Sequence, residues 1–240
     1  MREFSRLKLL SFLVAFLFFP HLAFAFIPGN FIVEGGYFRA HQGQSQFINI
    51  EDLIGDDFHV TKQNDNNFLA GIGYFIPGMQ TSRFTLYYGL NAFYLWQTEV
   101  KGDVIQEDLF ENLSFRYDIT NLPIYLSAKA WFDTCYKNLK INLDAGLGVN
   151  IISTKNFREE PLDDITIPDN IYHSNSRTEF SATIGAGVVF EHVLGCFPVE
   201  LNYRFFYLGQ GSLKNVNPQV INTLHTGHGY ANALILSVVL

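Results

Sequence analysis

Charge is scarce in this chain. Asp, Glu, Lys and Arg make up 16% of its 240 residues, against about a quarter in an ordinary soluble domain. Bases are scarcer than acids, 16 against 23, for a formal charge of −7. That balance makes a poor phosphate-backbone binder and excludes nucleic acid as a partner. Cysteine is limited to Cys135 and Cys196. Beyond residue 25, every apolar stretch is broken by Gly, Asn or a charge within about a dozen residues, so no helix of about 20 residues can cross a bilayer. Ala, Glu, Lys and Leu do not dominate, which excludes a coiled coil. What the chain does have is apolar and aromatic bulk: 48% hydrophobic residues, with 24 Phe and 12 Tyr. Such content excludes intrinsic disorder.

The N-terminus is distinct from the rest. Arg2, Arg6 and Lys8 precede an apolar run over 9–19, and Ala23-Phe24-Ala25 has the small-x-small form of a cleavage site. The expectation is a secretory signal peptide over 1–25, cleaved after Ala25. Residues 26–240 then form a single domain. In an exported chain the even pair Cys135 and Cys196 is a candidate disulfide, with free thiols as the alternative.

The mature sequence alternates with period two. Over 66–76, Phe68, Ala70, Ile72, Tyr74 and Ile76 share one face. Over 84–97 the face is Phe84, Leu86, Tyr88, Leu90, Ala92, Tyr94 and Trp96. Over 139–151 and 179–190 the same pattern sets apolar residues against Asn142, Asp144, Gly146, Thr183 and Gly185. A helix would scatter these residues around its surface, whereas a strand sorts them onto two faces. Segments 31–39, 124–132, 199–207 and 230–240 fit as well, which makes eight strands. Pro123 cannot donate to a ladder, so a bulge or a late strand start is expected there. Connections alternate between short and long. The long ones, about 41–65, 98–112, 154–177 and 209–229, read as four surface loops. The first three carry net charges of −4, −4 and −2.

Short and long connections in alternation are the pattern of an outer-membrane barrel with periplasmic turns and outer loops. A soluble exported sandwich or lipocalin-like barrel would show the same alternation. Three features favour lipid. The apolar faces run five to seven residues unbroken, matching a tilted membrane strand. The mixed faces are rich in Gly, which suits a narrow lumen filled by side chains. The chain also opens with an export signal. The expected fold is therefore all-β, an eight-stranded antiparallel up-and-down transmembrane β-barrel.

The strands Ala70-Gly71-Ile72-Gly73-Tyr74 and Asp144-Ala145-Gly146-Leu147-Gly148-Val149, and the stretch Glu200-Leu201-Asn202-Tyr203-Arg204-Phe205-Phe206-Tyr207-Leu208-Gly209, resemble those of the small outer-membrane β-barrel proteins related to outer membrane protein A. The first long loop and the region near residue 160 also resemble exported proteins of Legionella-type bacteria. The resemblance implies placement in the bacterial outer membrane, contact with its lipid and lipopolysaccharide, and handling by the barrel-assembly machinery. That machinery usually reads a terminal aromatic, and here the chain ends in Leu240.

By parity Glu34, Lys129, Asp144, Glu179, Glu200 and Arg204 point into the lumen. Charges in a narrow interior need partners, so they are expected to form a salt-bridge network plugging the barrel. A cation-preferring gate is the functional alternative. Tyr37, Tyr74, Tyr94, Trp96, Tyr203 and Tyr207 fit interfacial aromatic girdles. The Gly-x-Gly pairs lack the helix a dinucleotide fingerprint requires. His173 and Ser174 would face opposite ways on a strand, and His225 with His228 lacks the further ligands of a metal site. No calcium-loop spacing occurs. The expectation is no catalytic residue, no metal and no cofactor. The role read from these residues is a non-catalytic integral outer-membrane protein, serving envelope structure or contact with a host or surface ligand through acidic loops. A small cation-preferring pore and a lipid-modifying enzyme are the alternatives.

Overall fold

The computed structural model describes residues 29–107, 109–195 and 197–240. The expected signal peptide, its cleavage site and Cys196 lie outside the described residues. The strands run β1 (Asn30–His41), β2 (Gln46–Ile48), β3 (Asp56–Lys62), β4 (Asn64–Gln80), β5 (Phe84–Gln106), β6 (Phe110–Asp133), β7 (Leu139–Pro161), β8 (Tyr172–His173), β9 (Asn175–Leu194), β10 (Phe197–Ser212), β11 (Lys214–Asn215) and β12 (His225–Val239). Eight of them close a ring in the order β1-β4-β5-β6-β7-β9-β10-β12. Its seam pairs β1 with β12 from Ile32↔Val239 to His41↔Tyr230, and Phe31 and Leu240 extend it with reciprocal backbone hydrogen bonds. All pairings are antiparallel, so the fold is an all-β, eight-stranded, up-and-down barrel. Closure lets the backbone groups of neighbouring strands pair all the way round without exposing a sheet edge to lipid.

The period-two pattern becomes an inside and an outside. On β6, Leu126 is 72% exposed while its neighbour Tyr125 is 0% exposed. Around the ring, Phe68, Ile72, Tyr88, Leu90, Leu126, Leu147, Phe180, Ile184, Tyr203, Leu234 and Leu236 all face outward. The strands do not stop where this apolar belt ends. A tilted membrane strand needs about 9–11 residues, yet β5, β6 and β7 have 23, 24 and 23.

Beyond the belt the pattern inverts. Val100 and Val104 are buried while Lys101 is exposed and Glu99 and Asp103 are half-exposed. Phe115, Tyr117 and Ile119 are buried, with Ser114, Arg116 and Asp118 on the other face. Outside lipid, the outer face meets water and must be polar, and the inner face becomes the core. The segments expected as loops at 98–112 and 154–161 are therefore strand over 98–106, 110–112 and 154–161, with turn residues at Glu107 and Leu109. At Pro123 the strand neither starts late nor breaks. It pairs with Asn150 of β7, and the β5 ladder skips Phe93 and Tyr94 opposite and shifts register between Leu95 and Thr98. Proline's missing N–H is thus accommodated on one side only.

The remaining connections form a lid. β3 pairs with the outer part of β5, β8 with β11, and Ile50 with Val220. Asn222 clasps the first loop: its Oδ1 accepts the Asn49 N–H at 2.7 Å and its Nδ2 donates to the Phe47 carbonyl at 2.9 Å. Gln46 answers by donating to the Thr223 carbonyl at 2.7 Å and accepting the His225 N–H. Beneath lies an apolar core that includes Ile48, Phe58, Phe115, Phe157, Tyr172 and Val220.

Candidate functional site

The lumen is filled in layers. Nearest the short turns, Ile32, Phe75, Trp131, Val189 and Val239 form an apolar floor. Above it sits the charged layer. Then comes a second apolar layer with Phe38, Leu69, Phe93, Tyr125, Phe206 and Leu208. Thr98, Gln42, Asn121, Asn150 and Thr154 form a hydrogen-bonded polar layer above that, and the lid core caps the stack.

Two buried ion pairs build the charged layer. Lys129 Nζ donates to both carboxylate oxygens of Glu200, at 2.7 and 3.0 Å. Their side chains are 1% and 0% exposed. Asn142 and Asn202 each donate an amide N–H to Glu200 Oε2, at 3.3 and 3.0 Å. Arg204 Nη2 lies 2.8 Å from Asp144 Oδ1, both side chains being 1% exposed. Aromatic faces complete the solvation: Lys129 lies 4.9 Å from the Phe75 ring centroid and Arg204 lies 4.9 Å from that of Phe93, both within cation–π range. Glycines make the room. A Cβ at Gly185 would stand 2.6 Å from Asp144 Oδ2, and one at Gly71 would stand 2.6 Å from the Phe93 ring. Glu34 is buried in the same layer and accepts a long bond, 3.4 Å, from Asn91. The layer thus braces β1, β5, β6, β7 and β10 to one another.

Five of the six charges expected in the lumen meet here. Glu179 does not. It points to the lumen side of β9 but pairs with Arg177 at 3.2 Å and keeps 30% of its side chain exposed. It lies six residues along the strand from Gly185, which pairs with Arg204, and six residues of strand span about 20 Å. Cys135 is exposed in the turn after β6. His173 pairs across to Lys214 in the lid. His228 stacks on Tyr207 on the outer wall, its Nδ1 2.9 Å from the hydroxyl. Among the described residues no group of three or more His, Cys, Asp or Glu is arranged to hold a metal ion.

The lid holds what the sequence reading missed. Asp56, Glu107, Glu159 and Asp169 line one cavity of about 250 Å³ beneath it, with Ile50, Val104 and Val220. Burial pushes the Glu159 carboxyl above its ordinary value, although the Asn170 N–H bonds to it at 2.9 Å. Burial raises Asp56 likewise. On the first loop Ser45 Oγ lies 3.5 Å from His59 Nδ1, with Asp103 opposite His59 on β5. That hydroxyl oxygen already accepts the Val60 N–H at 2.9 Å, and a nucleophile–base pair sits closer, at about 2.6–3.2 Å.

A closed ring with an apolar belt, a packed lumen and a polar outer extension defines a small transmembrane β-barrel of the outer-membrane type. No protein-family model matches the chain, and no curated protein matches its sequence. Solved structures match in shape. The outer membrane protein OprG from Pseudomonas aeruginosa is 16% identical with a TM-score of 0.47, covering 89% of this chain and 97% of that one. Neisserial surface protein A is 14% identical with a TM-score of 0.41, covering 88% and 96%. The outer membrane enzyme PagL is 14% identical with a TM-score of 0.38, covering 85% and 97%. At these values the likeness concerns shape alone and bears neither on activity nor on a Legionella-type origin.

Proposed function

We propose that this is a non-catalytic integral protein of the bacterial outer membrane that acts through its folded, acidic outer lid, in envelope structure or in contact with a host or environmental ligand. Its signal peptide is removed after Ala25, the barrel-assembly machinery inserts it, and its belt sits among outer-membrane lipid and lipopolysaccharide. The observation that carries this reading is the stacked lumen. Apolar layers seal the charged layer on both sides, so the barrel is a support and the chemistry available to partners lies on the lid. Excess acid in the charged layer, three carboxylates against two bases, favours the second reading, a narrow cation path.

The test is expression in a Gram-negative host. The expected result is a heat-modifiable protein in the outer-membrane fraction, with lid epitopes accessible on intact cells and unchanged masses of lipid A and phospholipid. A mass change abolished by Ser45→Ala would replace this reading with an enzyme. A protein soluble in the periplasm without detergent would remove the membrane placement.

A further inference from the structure

The outer wall carries one feature that the lid and lumen do not explain. β4, β1, β12 and β10 lie side by side, and their registers align outward-facing residues in rows. One row is Phe68, Tyr37, Leu234 and Tyr203. The next, towards the lid, is Asn66, Arg39, Asn232 and Phe205. The third is Asn64, His41, Tyr230 and Tyr207, with His228 beside it. Rows two residues apart along a strand are about 7 Å apart. The wall therefore changes from apolar to polar within one row, and Arg39 stands at that boundary.

On the outward faces of these four strands Arg39 is the one residue with a permanent charge. It is exposed, and no ion pair or hydrogen bond engages its side chain among the described residues. Elsewhere on the outer part, Lys62, Lys101, Arg116 and Arg177 each hold an acid within 4 Å, while Lys155, Arg158 and Lys214, which hold none among the described residues, stand beyond the apolar belt rather than at its edge. Around Arg39 the neighbours are neutral or can donate: Asn66, Asn232, and His41, whose Nδ1 lies 3.3 Å from Asn64 Oδ1. An unpaired guanidinium at the edge of a hydrocarbon belt needs an anion, and its planar fork matches phosphate oxygens. Arg39 stands one row beyond the exposed Tyr37 and Leu234, where an acyl chain packed on that row would bring its headgroup.

We propose that this wall is a binding site for an outer-leaflet glycolipid phosphate, that of lipid A, with Arg39 as the charged anchor and His41 and Asn66 as flanking donors. The proposal rests on the membrane reading above and adds the headgroup chemistry and its place.

The test uses refolded 26–240 in phosphatidylcholine vesicles. Insertion is checked first, by heat-modifiable migration and protection from protease. Bisphosphorylated lipid A, and the same lipid A with its phosphates removed, are then titrated in, and retained lipid is counted by native mass spectrometry. The expected result is preference for the phosphorylated form, weakened about tenfold or more by Arg39→Gln, the effect of losing one charge-assisted contact. Arg39→Lys recovers part of it, and Lys214→Gln, on the lid, changes nothing. Equal retention of both lipids would leave only acyl-chain contact and overturn the site, as would unchanged binding by inserted Arg39→Gln. A chain that does not insert would overturn the membrane reading and the site together.

Discussion

Replacing Lys129 by Met tests how the charged layer holds the barrel. The side chains are similar in length, so packing changes little and the charge is lost. Glu200 is then 0% exposed with no cation in contact. Removing one partner of a buried pair costs about 3–5 kcal/mol, because the remaining charge stays buried without compensation. The amide donors Asn142 and Asn202 stay in place and offset part of that, so the lower end, about 3 kcal/mol, is expected. Lys129→Met with Glu200→Gln removes both charges and should recover most of the loss, since an apolar or neutral replacement of a whole pair is often near neutral. The assay is urea unfolding in lipid vesicles followed by Trp fluorescence, with the four proteins arranged as a double-mutant cycle. A loss below about 1 kcal/mol for the single variant, or additive single effects, would refute the claim that the pair is desolvated and coupled.

Three further outcomes follow from the geometry. Gly185→Val drives a side chain into Asp144 Oδ2 and should lower barrel stability by about 1–3 kcal/mol, read by the same unfolding assay. Asn222→Ala removes two bonds to the first loop and should speed proteolysis within the lid severalfold while leaving unfolding of the barrel unchanged, because lid opening is a local event. Glu159 and Asp56 have folded pKa values raised by burial, so their contribution to lid stability is full below the unfolded values near 4.5 and 3.8 and fades as pH rises through the higher folded values. Asp65, held down despite partial burial by the Glu99 N–H and then Lys62, and Glu99, held down by Lys101 and Lys62, act oppositely and lose their contribution as pH falls. The protection factor of the Asn170 amide, corrected for the base-catalysed rise of intrinsic exchange with pH, should therefore be higher at pH 5 than at pH 8 in the native protein, and Glu159→Gln should remove most of that difference.

How much of this was legible depends on where the solvent changes. Within the belt the alternation of Phe68, Ala70, Ile72 and Tyr74 against Gly71 and Gly73 names both the strand and its faces. At Glu99, Lys101 and Asp103 the outward face turns polar because it leaves lipid, and the same period two then looks like a charged loop. The inward Val100 and Val104 are the surviving signal. The assumption that a membrane barrel is polar within also hid the luminal aromatics. Phe38, Phe75, Phe93 and Phe206 sit at inward parity and form the layers that seal the charges. Parity alone placed Glu179 with Arg204, because parity gives direction and not height along the strand. The lid was not legible, since Asn222 and Gln46 meet the rest of the fold across 175 and 177 residues of chain.

The central claim is that the barrel is filled. Single-channel recording of refolded 26–240 in a planar bilayer tests it most directly, with insertion shown independently. The expected result is a silent bilayer. Reproducible cation-selective steps, abolished by Glu34→Ala, would contradict the claim and make the luminal acids a conduction path.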